Sequence, residues 1–200
     1  SHDPNTRRAT GQDWEIPERT LAELRTLDAG SWKGQQWKDE RLPSLDDVLA
    51  LLPDDRRLVI EIKCGVEALP ELQRVVKASG KRGAQLVLIS FHYDVCVLAQ
   101  KLFPKIPVLL LASFRRNWVS GIWTPRPVEL LRKAGAAGLA GVNLSSKGPL
   151  NAALLKKAHA AGLKLYVWTV DSVRVARKLR AAGVDGITTN RPGWLREQLQ

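Results

Sequence analysis

The sequence predicts an α/β protein of the (β/α)8 TIM-type barrel class, of which this chain supplies about six βα units plus a loop-rich insertion. Three observations carry that reading. From about residue 44, short apolar runs alternate with segments of helical period. The apolar runs are nearly continuous, as expected of parallel strands covered by helices on both faces. No G-x-G-x-x-G follows any of them, which leaves a doubly wound dinucleotide fold, the alternative, without its fingerprint.

The elements follow in order. A helix is expected over 44–52, with Ser44 as its cap and Asp46 and Asp47 complementing the helix dipole. Strands are then expected at 58–63, 85–91, 108–113, 141–145, 164–169 and 186–190. Helices at 69–79, 94–103, 127–134, 150–161, 172–182 and 193–199 fill the gaps. Gly80, Gly135, Gly162 and Gly183 follow Ala- or Ser-ended helical runs, where a left-handed residue closes the last turn. Six strands each precede a helix, so a closed barrel would need two more strands upstream. Residues 1–43 differ: they hold Trp14, Trp32 and Trp37, several glycines, many charges and one short helix at 20–27. They read as a loop-rich insertion in a single domain whose βα units occupy 44–200.

Composition narrows the class. A hydrophobic fraction of 44% with 26% charged residues is that of a globular domain, and 200 residues suffice for one core. No apolar run approaches the roughly 18 residues of a membrane span, so stable membrane insertion is not expected. The first residues show no signal peptide. Cys64 and Cys96 lack metal-finger spacing and read as buried or incidental thiols, in keeping with a cytoplasmic setting. The net charge of +11 would suit nucleic acid, an anionic membrane or an anionic substrate. Much of it, however, falls on helix faces such as Arg174, Arg177, Lys178 and Arg180, which points to solvated surface.

Chemistry in such a fold gathers at the C-terminal ends of the strands. Those ends present Glu61 and Lys63, then Ser90 to His92, Ser113 to Arg116, Asn143 and Ser145, Trp168 to Asp171, and Thr188 to Arg191. Alternation turns Glu61 and Lys63 to one side of their strand and Ile62 to the other. The pair suits a metal ligand beside a phosphate-binding cation, or a structural ion pair, and spacing does not choose between them.

His2-Asp3, Arg8, Thr10-Gly11 and Leu27-Asp28-Ala29-Gly30-Ser31-Trp32 occur in that order. Leu42-Pro43-Ser44-Leu45, Glu61-Ile62-Lys63, Ser90-Phe91 and Trp168-Thr169-Val170-Asp171 come next, and the run 183–192, G-V-D-G-I-T-T-N-R-P, closes the series. As an ordered set these resemble the glycerophosphodiester phosphodiesterase family over essentially the whole chain. The resemblance implies hydrolysis of a glycerophosphodiester to an alcohol and glycerol 3-phosphate. It implies one divalent cation, Mg²⁺ or Ca²⁺, held mainly by carboxylates, and two histidines exchanging protons. By position, His2 resembles the second catalytic histidine, Glu61 a metal carboxylate, Lys63 the lysine on the phosphate, and Trp168 a substrate-binding residue. A hard cation prefers oxygen ligands, and a histidine can protonate a leaving alkoxide near neutral pH.

Departures from the family pattern are equally specific. The His-Arg-Gly strand, the Pro-Glu-Asn-Thr helix start and the Glu-x-Asp strand do not occur in these residues. They correspond to the two strands the barrel count lacks, and the expectation is that residue 1 is not the protein's natural start. Asn190 stands where the family commonly has Asp, Asp171 where Asn is common, and Cys64 where Pro is frequent; these are expected to tune packing or capping, with Asp171-Ser172 as an N-cap region. The other reading of the chain is a non-catalytic basic barrel that binds phosphorylated ligands or an anionic surface. His92 is a minor candidate and His159 a solvent-facing one. The stretch 113–127, with Phe114, Arg115, Arg116, Trp118 and Trp123, is expected to be either a lid over an anionic substrate or a cover for the rim. Nucleic acid is not expected as a partner, because this aromatic-basic pattern is confined to one loop. Oligomeric state is not legible in the sequence.

Overall fold

A computed structural model describes all of residues 1–200. The chain divides into two compact units, Ser1–Leu52 and Pro53–Gln200.

The first unit holds three short helices, α1 (Arg7–Thr10), α2 (Leu21–Leu24) and α3 (Leu45–Ala50), with 3₁₀ turns at Ile16–Glu18, Ser31–Lys33 and Gln35–Trp37. Both α2 and α3 begin with reciprocal capping boxes. Thr20 and Glu23 bond each other's backbone N–H, as do Ser44 and Asp47, so orphan donors of each first turn are satisfied. Between them, Asp28 organises a loop. Its carboxylate accepts the N–H groups of Gly30 and Ser31 (2.8 Å each), the Ser31 hydroxyl (2.6 Å) and the Asp39 N–H (3.0 Å). Gly30 is required there, because a Cβ would lie 1.8 Å from the Trp37 carbonyl oxygen. The single helix expected at 20–27 is thus shorter than its sequence signal, and the turns around it come from side-chain bonds without apolar periodicity.

The second unit is built on β1 (Leu58–Glu61), β2 (Leu86–Ser90), β3 (Val108–Ala112), β6 (Gly141–Ser145), β7 (Lys164–Trp168) and β8 (Gly186–Ile187). These six strands form one sheet in that order, every pair parallel. A separate antiparallel pair, β4 (Arg115–Arg116) and β5 (Trp123–Thr124), stands between β3 and β6. The strand-to-strand crossovers carry α4 (Leu69–Ala78), α5 (Tyr93–Leu102), α6 (Pro127–Ala136), α7 (Ala152–Ala160) and α8 (Val173–Ala182), and α9 (Pro192–Gln198) follows β8.

The register fixes the two faces of this sheet. Glu61 pairs with Ile89, Ile89 with Leu109, and Leu109 with Gly141, so these residues share one face. Two residues along, Leu111, Asn143 and Tyr166 are opposite one another on that same face, followed by Ser145 opposite Trp168. Val87, Ile89, Leu109 and Leu111 form a buried cluster there, with Ala140, Tyr166 and Trp168 packed against it. The other face carries Leu86, Leu88, Leu110, Val142, Leu144, Leu165 and Val167, all buried. The helices bring buried residues at helical spacing, such as Leu72, Val75 and Val76 on α4 or Leu154, Leu155 and Ala158 on α7. At the sheet's edge Val59 remains 45% exposed although its register partner Val87 is buried.

Most elements lie within a residue or two of the expected bounds. One glycine does not behave as expected. Gly135 lies inside the last turn of α6, and the left-handed residue that follows this helix is Gly138, at φ 65°. The helix runs past Gly135 because Ala136 continues it, and alanine is the better helix former.

Candidate active site

All strands of the sheet being parallel, their C-terminal ends share one edge, and the chemistry-bearing residues collect there. Lys63 Nζ lies 4.0 Å from Glu61 Oε2, both side chains roughly a third exposed. So loose and wet a pair stabilises a fold by about 0–1 kcal/mol. The strand end behind it is tightly made. The Ser90 hydroxyl donates to the Ile62 carbonyl (2.7 Å) and accepts the His92 N–H (3.1 Å), tying the end of β1 to that of β2. This leaves His92 as the N-cap residue of α5, its side chain making no capping bond.

Trp168, at the end of β7, stands edge-on to Phe91 with ring centroids 5.7 Å apart. Its Nε1–H donates to the Asn143 carbonyl (3.1 Å). Glu61, Phe91 and Trp168 thus stand at the ends of β1, β2 and β7; β3 and β6 lie between the last two in the sheet, and the ring contact across that gap holds Trp168 at a fixed angle. Sequence reasoning placed Asn143 at a strand end but not in the site. Its side chain is almost wholly buried on the apolar face, and no protein group bonds its Oδ1. A buried amide oxygen left in that condition costs about 1–3 kcal/mol, which marks it as a polar group kept for another reason. The signal in the sequence was an Asn in the middle of the apolar run Gly141-Val142-Asn143-Leu144.

In the first unit, His2 Nδ1 meets Asp3 Oδ1 at 2.7 Å, and Arg8 Nε donates to Asp3 Oδ2 at 2.5 Å. The Arg8 guanidinium, and after it the His2 ring, hold the Asp3 carboxyl down at about 2. Asp3 is therefore an acceptor throughout the neutral range, and a neutral His2 carries its proton on Nδ1. That is the arrangement by which a carboxylate sets the tautomer of a histidine used in proton transfer.

No group of three or more His, Cys, Asp or Glu side chains comes together in the structure. A Mg²⁺ or Ca²⁺ ion takes six to eight oxygen ligands in all. Glu61 could supply one of them, but the side chains of this chain do not by themselves make a cation cage.

Several sequence expectations are corrected by the geometry. His159 is exposed, as expected, but it is also paired: its Nε2 lies 3.0 Å from Asp185 Oδ2, which also accepts the Leu165 N–H (2.8 Å). Ser172 makes no side-chain cap on α8. Asp171 instead accepts the Thr189 hydroxyl (2.8 Å), the Asn190 N–H (2.9 Å) and the Asn190 side-chain amide (2.7 Å), which holds its carboxyl low. The two departures noted at 171 and 190 therefore touch each other, an amide donating to a carboxylate across one hydrogen bond. Of the two cysteines, Cys96 is buried, its thiol pushed up to about 11 by burial, while Cys64 is exposed. A shallow, open cleft of the second unit, lined by Arg180, Ile187, Pro192, Leu195, Arg196 and Leu199, includes none of Glu61, Lys63 or Trp168.

Residues 1–194 match the glycerophosphoryl diester phosphodiesterase family. The chain belongs to this family. A glycerophosphodiester phosphodiesterase of Caldanaerobacter subterraneus is 31% identical to it over 114 residues, 55% of this chain and 47% of that protein. YhdW of Bacillus subtilis is 30% identical over 112 residues, 55% of this chain and 46% of its own. The chain thus spans about half the length of the curated relatives it matches. Among solved structures, a phosphodiesterase from Oleispira antarctica, in complex with the product sn-glycerol-3-phosphate, superposes with a TM-score of 0.81 at 25% identity. That match covers 100% of this chain and 78% of the other. A glycerophosphodiester phosphodiesterase from Parabacteroides distasonis, at 24% identity and a TM-score of 0.73, covers 100% and 76% and shares the fold. The α/β barrel class expected from periodicity is the class of these family members.

Proposed function

We propose that the protein carrying this chain hydrolyses glycerophosphodiesters to an alcohol and glycerol 3-phosphate. The observation that carries the reading is the Glu61–Lys63 pair at the shared strand edge of a family member. The glycerol-3-phosphate complex of the Oleispira antarctica relative supports the product half of it.

In this reading Lys63 binds a phosphate oxygen and offsets the charge that develops there in the transition state. The face of Trp168, held by Phe91 and Asn143, receives the apolar side of the glycerol moiety. A water oxygen bonds to phosphorus and releases its proton to solvent, and the phosphorus–oxygen bond to the alcohol breaks. The departing alkoxide takes the Nε2 proton of an imidazolium that solvent restores; by its place in the family pattern, His2 is that acid. Asp3, ionised at neutral pH, orients that imidazole. A divalent cation, Mg²⁺ or Ca²⁺, with Glu61 as one of its ligands, would supply positive charge beside the phosphoryl oxygens. Two cysteines without a disulfide support a reducing, cytoplasmic setting.

The test is release of glycerol 3-phosphate from glycerophosphocholine and glycerophosphoethanolamine by the whole protein. Glu61→Gln and His2→Ala are each expected to lower kcat by about a hundredfold or more with the circular dichroism spectrum unchanged. Chelation should abolish turnover and Mg²⁺ or Ca²⁺ should restore it. Wild-type rates in either variant would sink the assignment of that residue. A whole protein with no turnover on any diester, yet with affinity for glycerol 3-phosphate, would make it a binding barrel.

A further inference from the structure

The β4–β5 hairpin takes no part in the chemistry above. It follows β3, so it rises from the strand edge that carries Glu61. Its base is anchored. Phe114 meets Trp123 edge to face at 6.5 Å, and Gly148 admits the Phe114 ring, since a Cβ there would lie 2.0 Å from Phe114 Cδ2. The Arg116 guanidinium lies over Trp123, 6.0 Å from its centroid, and its Nε donates to the Gly121 carbonyl (3.3 Å).

The turn is closed as firmly. Asn117 N–H donates to the Ile122 carbonyl (2.8 Å) and Gly121 N–H to the Asn117 carbonyl (2.9 Å). Asn117 Oδ1 accepts the N–H groups of Val119 and Ser120 at 2.9 Å each. These bonds hold a shape that turns the apolar side chains of the tip outward. Trp118 is 93% exposed, Val119 73%, and Ile122 about half. A tryptophan that could hide about 150–250 Å² is thus left in water at the end of an ordered finger. Residues 113–127 also carry Arg115, Arg116 and Arg126 and neither Asp nor Glu.

A lipid surface matches this pattern. Indole rings favour the head-group level of a bilayer, and arginines beside them meet anionic phosphates. Single-stranded nucleic acid fits less well, because it needs successive open aromatic faces. Here Trp123 is covered by Phe114 and Arg116, and Val119 would have no role. We propose that the hairpin docks the protein peripherally on an anionic bilayer, Trp118 and Val119 entering the interface while Arg115 and Arg116 contact lipid phosphates. No spanning helix is involved, and none is long and apolar enough to cross.

Co-sedimentation with vesicles tests this without reference to catalysis. Phosphatidylcholine vesicles are compared with vesicles in which about one third of the lipid is phosphatidylglycerol, an anionic surface that attracts roughly fivefold per basic residue. The chain is expected to sediment with the anionic vesicles and to be released by salt. Trp118→Ser should weaken partitioning about tenfold or more. Arg115→Gln, which leaves the Arg116 anchor on Trp123 in place, should weaken it about fivefold. Leu21→Ser, which removes an exposed apolar side chain elsewhere, should change nothing. The proposal is overturned by absent or equal binding to both vesicle types, by unchanged binding of Trp118→Ser, or by tighter binding to a single-stranded oligonucleotide than to anionic vesicles.

Discussion

The two units of this chain are held together by different physics. In Ser1–Leu52 only Leu27 and Leu49 are buried apolar side chains. Order comes instead from carboxylates accepting backbone N–H groups, as at Asp28, and from charge pairs such as Arg8 with Asp3 and Arg25 with Asp47. In Pro53–Gln200 the sheet is covered on its helical face by leucine and valine, and polar groups inside it are few enough to name. Hydrogen bonds to carboxylates are directional, so they can fix a loop without periodicity. Hydrophobic burial is not directional, so it needs the regular spacing of strands and helices to specify a shape. The first unit can therefore be irregular and still ordered, while the second can be regular and tolerate sequence change.

That contrast can be broken at several points. The largest effect is expected in the second unit: Leu109→Ala, at the centre of the buried cluster, should lower stability by about 2–5 kcal/mol in denaturant titration. A loss under 1 kcal/mol there would mean that the core is not what holds the sheet. In the first unit, Asp28→Ala should leave the global transition nearly in place. It should raise hydrogen-exchange rates at the Gly30, Ser31 and Asp39 amides by about tenfold or more. Unchanged protection at those amides would deny Asp28 its organising role. A subtler test concerns the pair of Asp171 and Asn190. Asn190→Asp sets a second carboxylate against Asp171 and should lower the melting temperature; the double variant Asp171→Asn, Asn190→Asp should recover most of the loss. Additive losses would show that the two positions are independent.

The smallest effect is electrostatic. Because Asp3 is depressed from 3.8 to about 2, its pairing contributes fully above the unfolded value and is lost as pH falls through about 2. Carbon-detected NMR titration of Asp3 should show that midpoint, and Arg8→Gln should move it back toward 3.8. A wild-type midpoint near 3.8 would mean that Arg8 and His2 do not hold the carboxylate in solution.

Legibility followed the same division. The strands of the second unit could be read because buried parallel strands write themselves as apolar runs: Leu58, Val108, Gly141, Lys164 and Gly186 begin observed strands as expected, and Leu86 begins its strand one residue after the expected start. The cap at Ser44 was equally plain, while the reciprocal bond by which Asp47 makes it a capping box came with the structure. The hairpin was not legible: Arg115-Arg116 and Trp123-Thr124 are too short for periodicity, and only Asn117 and Gly121 bonding around the turn makes them strands. Nor was the His159–Asp185 pair, whose members are 26 residues apart and meet because α7 and the start of β8 reach the same end of the sheet.

The sequence by itself determined the alternation of strand and helix, the family, and which residue types stand at each strand end, because these depend on order along the chain. Tertiary structure alone decided which of those residues meet. It set Lys63 beside Glu61, turned Trp168 against Phe91, buried Asn143 with an unmatched oxygen, and joined Asp171 to Asn190. Those outcomes depend on strand register and side-chain direction, which pattern constrains only by face and never by distance.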